Sequence, residues 1–291
     1  MSGVPMIGWL APALAALFLY GFGQGLVKKY ISEVPPARFC LYFIFAKLIV
    51  NLGFFFTNEH PDPFAAEGRE FMLVGILSYL MDGVGWILYF QSIIAGPITI
   101  VGTLSAAYPA LTTLFARIFL HEELSTVQYV GVFTVISACA LLSYSPTDPN
   151  DPTKSRRWIP MAAGALLIWG AGYTIMKYSY SLPGASEVNM SLFNSMGGIM
   201  TLGVYGFLFG RGGSHTPREW GRSFFPMAMM AGGDLGVIIA SKTGPISIVT
   251  SLAGAYPVVT LAFAWVVLKE RITVLQWGCI VAIISGIFMC S

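Results

Sequence analysis

Charge is what this 291-residue sequence has least of: Asp, Glu, Lys and Arg together make up 10% of it, against about 25% in soluble domains. A surface facing water cannot be assembled from so few charges. The net charge of +2 is too small to suggest a nucleic-acid partner, and no basic cluster interleaves with aromatics. Cysteine is sparse as well. Cys40, Cys139, Cys279 and Cys290 sit in or beside apolar runs with no CxxC spacing. They read as small apolar packing residues, and neither a metal site nor a disulfide framework is implied. His60, His121 and His215 fall in polar stretches, none beside a plausible nucleophile or metal partner. No Gly-rich loop ends in GK[ST], so ATP hydrolysis is not expected. The chain is not expected to be an enzyme, and no cofactor is called for. The residues before the first apolar run lack Lys and Arg, so that run reads as a first spanning helix and not as a signal peptide.

What the sequence does have is apolar length. It is 56% hydrophobic, with a mean hydropathy of +0.72. A spanning helix needs roughly 20 mostly apolar residues. Ten such runs are expected, over residues 7–27, 37–57, 70–94, 97–119, 126–145, 158–178, 187–209, 222–241, 245–268 and 273–290. Pro35-Pro36, Gly96-Pro97 and Gly244-Pro245 break the chain between spans, and Ser125 and Thr273 stand as N-caps. The polar stretch 145–157 carries Pro146, Pro149 and Pro152, and reads as a linker. It divides the chain into a first unit, 1–146, a linker, 147–157, and a second unit, 158–291.

The two units are related to each other. Residues 97–137 align without a gap on 245–285, so Tyr108-Pro109 falls on Tyr256-Pro257, Glu122 on Glu270, and Gln128 on Gln276. Trp9, Gly21, Gly23 and Lys28 fall on Trp158, Gly170, Gly172 and Lys177 at one constant offset. A period of this length is the mark of a duplicated unit. Five spans per unit is an odd number, so the second unit enters the membrane from the opposite side. The expected fold is an all-α membrane protein, ten transmembrane helices as two inverted five-helix repeats. Secondary transporters share that design, with the solute site near the midplane between repeats. A duplicated scaffold or sensor without transport activity is the alternative.

The twofold segment Pro…Leu…(small)-x-Tyr-Pro…Glu-x-(Leu/Ile)-(Ser/Thr)-x-x-Gln, with ten spans in a five-plus-five duplication, resembles the EamA-type members of the drug/metabolite transporter superfamily. The resemblance runs over nearly the whole chain and is weak for the substrate. It implies alternating access around a central cavity lined by the first, third, fourth, sixth, eighth and ninth spans. It implies a bacterial inner-membrane protein working by a proton or solute gradient, usually as an exporter. Amino acids, other metabolites, sugars, nucleotide-sugars and cationic drugs are all solutes of the family. A lipid-linked-sugar translocase is a further alternative, and either a monomer or a homodimer is compatible with it.

Ionisable residues inside apolar spans are costly, and each is a candidate for function. Asp82 lies mid-way along the third span and Asp234 in the matching eighth. A carboxylate held out of water can attract a cation or carry a proton, and these two are the candidates for proton coupling. They stand at different distances from the following Gly-Pro turn, about one helical turn apart, so different depths are expected. The bland reading of each is a pairing with a buried Lys or a cap on a neighbouring helix. Tyr20, Gln24 and Lys28 share a face of the first span, and Trp169, Tyr173 and Lys177 the equivalent face of the sixth. Such faces suit a wet cavity wall, or an aromatic belt with snorkelling lysines. Tyr79, Asp82 and Trp86 share a face of the third span. Asp82, Trp86, Trp169 and Tyr173 together can make an aromatic box that takes an ammonium group by cation–π attraction, or they can simply pack. Thr103, Ser105 and Ser251 are candidate hydroxyls for a solute, though such groups often bond back to their own helix. Pro109 and Pro257, inside helices, are candidate hinges. No role is evident for Lys47, Arg117 or Lys242. The expected partners are thus a small cationic or zwitterionic solute such as an amino acid or amine, the lipid bilayer, and protons.

Positive charge is uneven. Lys28, Lys29, Arg38, Lys154, Arg156, Arg157, Arg211, Arg218, Arg222, Lys269 and Arg271 fall on the side of the loop between the first two spans. By the positive-inside rule that side is cytoplasmic and both termini are outside. The family resemblance implies the reverse.

Overall fold

The computed structural model describes residues 7–30, 34–95, 107–143, 158–210, 216–267 and 273–290. Among these residues the regular structure is helical throughout, with no strand. The helices are α1 (Ile7–Tyr30), α2 (Pro36–Thr57), α3 (Arg69–Ala95), α4 (Tyr108–Phe119), α5 (Thr126–Ser143), α6 (Trp158–Ser179), α7 (Glu187–Gly198), α8 (Val204–Phe209), α9 (Pro217–Thr243), α10 (Ile246–Gly254), α11 (Pro257–Val267) and α12 (Val274–Cys290). A π-helical turn, Ile199–Gly203, joins α7 to α8. Seven helical runs are long and apolar enough to cross a membrane, and Thr126–Ala138 and Val274–Met289 are shorter apolar helices. The first part of the expected fourth span, the linker, Thr103 and Ser105 lie outside the described residues.

The helix starts follow local chemistry. Ser125 Oγ accepts from Gln128 N at 3.2 Å while Gln128 Oε1 accepts from Ser125 N at 3.0 Å. Thr273 and Gln276 repeat this reciprocal pair at the start of α12. Both are capping boxes, in which two orphan N–H groups are satisfied at once. Ser186 caps α7, and Thr216 caps α9. Pro257 does not sit inside a helix as expected: the chain turns at Ala255 and Tyr256, and Pro257 opens α11. Proline fits a first turn, where its missing N–H costs nothing. Pro109 likewise lies in the first turn of α4. The prolines inside helices are Pro12 in α1 and Pro226 in α9.

α1 leaves the first face of the bundle at Ile7 and reaches the second face at Tyr30. α2 then returns, and α3 crosses again. α1 packs along α9, α3 along α6, and α2 against both α7 and α9. α5 and α12 pair at the periphery, where Leu17, Val135, Ala138, Ala255, Val259, Cys279 and Ile283 form a small second core. The outer faces are apolar: Phe18, Phe45, Ile49, Phe56, Leu73 and Phe207 are all exposed. Water does not tolerate such a surface, but lipid does.

The two faces are tied differently. On the second face Arg38 of α2 makes a bidentate pair with Glu219 of α9, both contacts 2.8 Å, and Tyr42 donates to Glu219 at 2.7 Å. On the first face Glu122 accepts from both the backbone N–H and the hydroxyl of Ser247 at the start of α10. Lys177 reaches the carbonyls of Ser241 and Gly244, each at 2.8 Å, and Lys242 pairs with Glu187.

Candidate functional site

Lys47, mid-way along α2, is 1% exposed. A charged side chain survives such burial only when paired. Its ammonium lies 2.9 Å from Asp82 Oδ2 on α3 and 2.8 Å from Asp234 Oδ2 on α9. The first contact is an aligned hydrogen bond, the second a charge contact without that alignment. A third partner is Asn194 Oδ1 on α7, at 3.1 Å. Tyr20 on α1 donates its hydroxyl to Asp234 Oδ1 at 2.5 Å. Four helices therefore meet at one ammonium, and α1 joins the cluster through Asp234. The register difference between Asp82 and Asp234 does not separate them in depth: both carboxylates reach the same Nζ.

The close approach has a steric basis. A Cβ on Gly83, next to Asp82, would stand 1.8 Å from Thr201 Oγ1 in the π-helical turn. A Cβ on Gly233, next to Asp234, would stand 2.7 Å from the Tyr20 ring. Only glycine lets these helices come so near.

Beside the ion cluster lies a narrow aromatic chamber with a cavity volume of about 30 Å³. Tyr20, Gln24, Trp86, Tyr89 and Tyr108 line it from before the linker. Trp169, Tyr173 and Tyr256 line it from after. The rings brace one another: Trp86 and Trp169 meet edge to face at 5.0 Å, and Tyr108 stacks on Tyr173 at 5.3 Å. A smaller adjoining cavity, about 10 Å³, shares Trp169 and Tyr173 with the chamber and adds Ser78, Tyr79 and Asp82. Asp82 Oδ1 and Trp86 Nε1 are buried and have no hydrogen-bond partner among the described residues. Trp169 Nε1 donates to the backbone carbonyl of Asp82 at 3.3 Å.

The structure thus gathers Tyr20, Gln24, Trp86, Trp169 and Tyr173 around one chamber, and puts Asp82 and Tyr79 next door. Asp234 lines neither cavity and touches the chamber only through Tyr20. Tyr79 donates to Met176 Sδ at 3.0 Å. Ser251 is fully buried, and its hydroxyl donates to Ser247 O in its own helix at 2.7 Å. Sequence reasoning left Lys47 without a role and passed over Asn194, Tyr89 and the chamber-lining rings of Tyr108 and Tyr256. The rule that singles out Asp82 and Asp234, an ionisable group in an apolar span, applies equally to Lys47.

The model of the EamA-like transporter family matches this chain twice, over residues 7–144 and 156–291. Uncharacterized protein MJ1333.1 of Methanocaldococcus jannaschii is 30% identical over 77 residues, which is 26% of this chain and 56% of that protein. The match therefore spans little more than half of the relative's length. A solved crystal structure of a protein superposes with a TM-score of 0.76 at 15% identity, covering 98% of this chain and 96% of that one. That likeness speaks to the fold.

Proposed function

The chain belongs to the EamA-like transporter family, and from that premise we propose that it exports a small cationic or zwitterionic organic solute, such as an amino acid or amine, by alternating access driven by protons. The aromatic chamber supports this reading above all. Its rings come from both repeats, and stacked Tyr and Trp faces attract an ammonium group more strongly when water is excluded. Asp82, which lines the adjoining cavity, is the counter-charge for that group. Rings and an amide also suit a sugar, but a nucleotide-sugar or lipid-linked sugar brings phosphate. Among the described residues neither cavity has a Lys or Arg in its lining, and the nearest ion cluster has two carboxylates to one ammonium.

That surplus supports the proton role. A buried cluster with one unbalanced negative charge is relieved by one added monovalent cation, either a proton or the solute's ammonium. Competition between the two gives exchange. The turns at Pro109 and Pro257, at equivalent places in the two repeats, are the hinges in this reading. The excess of positive charge on the second face makes that face cytoplasmic.

The test is a thermal-shift and vesicle-transport screen over amino acids, amines, quaternary ammonium ions, sugars and nucleotides. A cationic solute is expected to stabilise the protein and to be carried, and Asp82→Asn is expected to abolish both effects. Unchanged transport of every such solute by Asp82→Asn would remove the carboxylate from the solute site.

A further inference from the structure

Below the ion cluster, three polar contacts in antiparallel order join α7 to α2 and to the loop after it. Lys47 donates to Asn194 at 3.1 Å, the Ser191 hydroxyl, bonded to the Val188 carbonyl of its own helix at 2.8 Å, also lies 3.2 Å from the carbonyl of Asn51, and Asn189 donates to the carbonyl of Pro61 at 3.1 Å. These contacts descend from the middle of the bundle to the first face. The ten residues from Lys47 to Thr57 cover roughly 15 Å of helix, half of a hydrocarbon core of about 30 Å.

The seam is polar but not self-satisfied. Asn51 and Asn194 are fully buried and Asn189 nearly so. Yet Asn51 Nδ2 and Oδ1, Asn194 Nδ2 and Asn189 Oδ1 have no hydrogen-bond partner among the described residues. A dry amide in this position is costly, and buried polar atoms that lack a protein partner normally hold water. Between them these atoms offer donors and acceptors at successive levels, which a file of waters needs. Toward the second face the same helix buries Phe39, Cys40, Phe43 and Ile44, and its polar groups there, Arg38 and Tyr42, are taken up by Glu219. The polar seam therefore leads from the cluster to one face. Glu59 and Asp62 flank its mouth in the loop after α2.

We propose that the α2–α7 seam is a hydrated proton path joining the Lys47–Asp82–Asp234 cluster to the first face, separate from the aromatic chamber that takes the solute. This rests on the reading that the two carboxylates carry a proton. A proton leaving Asp82 or Asp234 passes to water at Asn194, then by Asn51 to the mouth at Asn189, and the return journey reverses these steps. The ionisable groups around the exchanging site are Lys47 on α2, Asp82 and Tyr79 on α3, Asp234 on α9, Tyr20 on α1, Tyr108 on α4 and Tyr173 on α6. Solute and proton then approach the cluster from different sides.

Two experiments test the path without any solute. The first uses a background in which the four native cysteines are alanine and the protein sits in vesicles. Asn51→Cys and Ser191→Cys are expected to be blocked by Ag⁺, counted as thiols lost after unfolding, while Phe43→Cys stays free. An Asn51→Cys thiol as inert as that of Phe43→Cys overturns the hydrated seam. The second follows the protonated-carboxyl infrared band after a pH jump, identified by its loss in Asp82→Asn or Asp234→Asn. Asn51→Leu fills the seam with an apolar side chain and is expected to slow the band's rise by roughly tenfold or more, since a bare charge crosses apolar ground poorly. A band that rises equally fast in Asn51→Leu sinks the path and leaves the proton role of the carboxylates standing. The lack of any such band sinks both.

Discussion

Lys47 shares one ammonium among two carboxylates and an amide, and every partner depends on it. Without it, Asp82 and Asp234 face each other in a water-poor interior with the Tyr20 hydroxyl as the remaining donor to Asp234. Removing one partner of a buried ion pair costs about 3–5 kcal/mol. Lys47→Met should therefore lower the unfolding free energy, read from denaturant titration in detergent, by an amount in that range. Adding Asp82→Asn and Asp234→Asn to Lys47→Met should recover most of the loss, because neutral groups are far cheaper to bury. A Lys47→Met protein that unfolds with the wild type would show that the ammonium is not holding the cluster. The sequence marks all three residues as expensive occupants of apolar spans. Asp82 and Asp234 drew notice because the repeat matches their neighbourhoods. Lys47 aligns with nothing ionisable in the second repeat, where Ser195 and Met196 stand, and so pattern alone assigns it no role. That α2, α3 and α9 meet at one level is a tertiary fact with no local signature.

Helix ends were more legible than helix interiors, because caps are local chemistry. Ser125 with Gln128 and Thr273 with Gln276 mark starts that the structure places where the sequence does. Turn prolines were harder to place: Tyr256-Pro257 lies in an unbroken apolar run, and only the structure shows the chain breaking before it. The π-helical turn Ile199–Gly203 had no signal at all, since IMTLG suits an ordinary helix. Its packing against α3 depends on Gly83. An alanine there would meet Thr201, a β-branched side chain with little freedom to move aside. Overpacking of this kind costs about 1–3 kcal/mol. Gly53 makes the comparison, since a Cβ added there meets nothing within 4 Å. Gly53→Ala should be neutral or raise stability by up to about 1 kcal/mol through helix propensity alone. Thermal midpoints in one detergent should thus move in opposite directions for Gly83→Ala and Gly53→Ala, and equal midpoints would mean that the π-helical turn does not press on α3.

At the scale of the whole molecule, direction follows from which way round the bundle sits. The chamber lies at mid-bundle and reaches toward the second face at Gln24 of α1 and Tyr89 of α3. The polar seam runs from Asn194 and Asn51 toward the first face, the one from which α1 sets out. If protons enter by the seam while solute enters by the chamber, an inward proton gradient drives export only when the first face is outside. The distribution of Lys and Arg favours that arrangement, because the second face carries Arg38, Arg218 and Arg222 among many others. Family resemblance points the other way, so orientation is the measurement that decides the physiological direction. In a background without native cysteines, Ser2→Cys should react with a membrane-impermeant maleimide on intact cells. Acidifying the outside of right-side-out vesicles should then speed loss of a loaded cationic solute. A Ser2→Cys thiol that reacts only after the cells are opened would place the seam's mouth in the cytoplasm. The same geometry would then let an inward gradient hold protons away from the seam, and proton-driven export by this route would have to be abandoned.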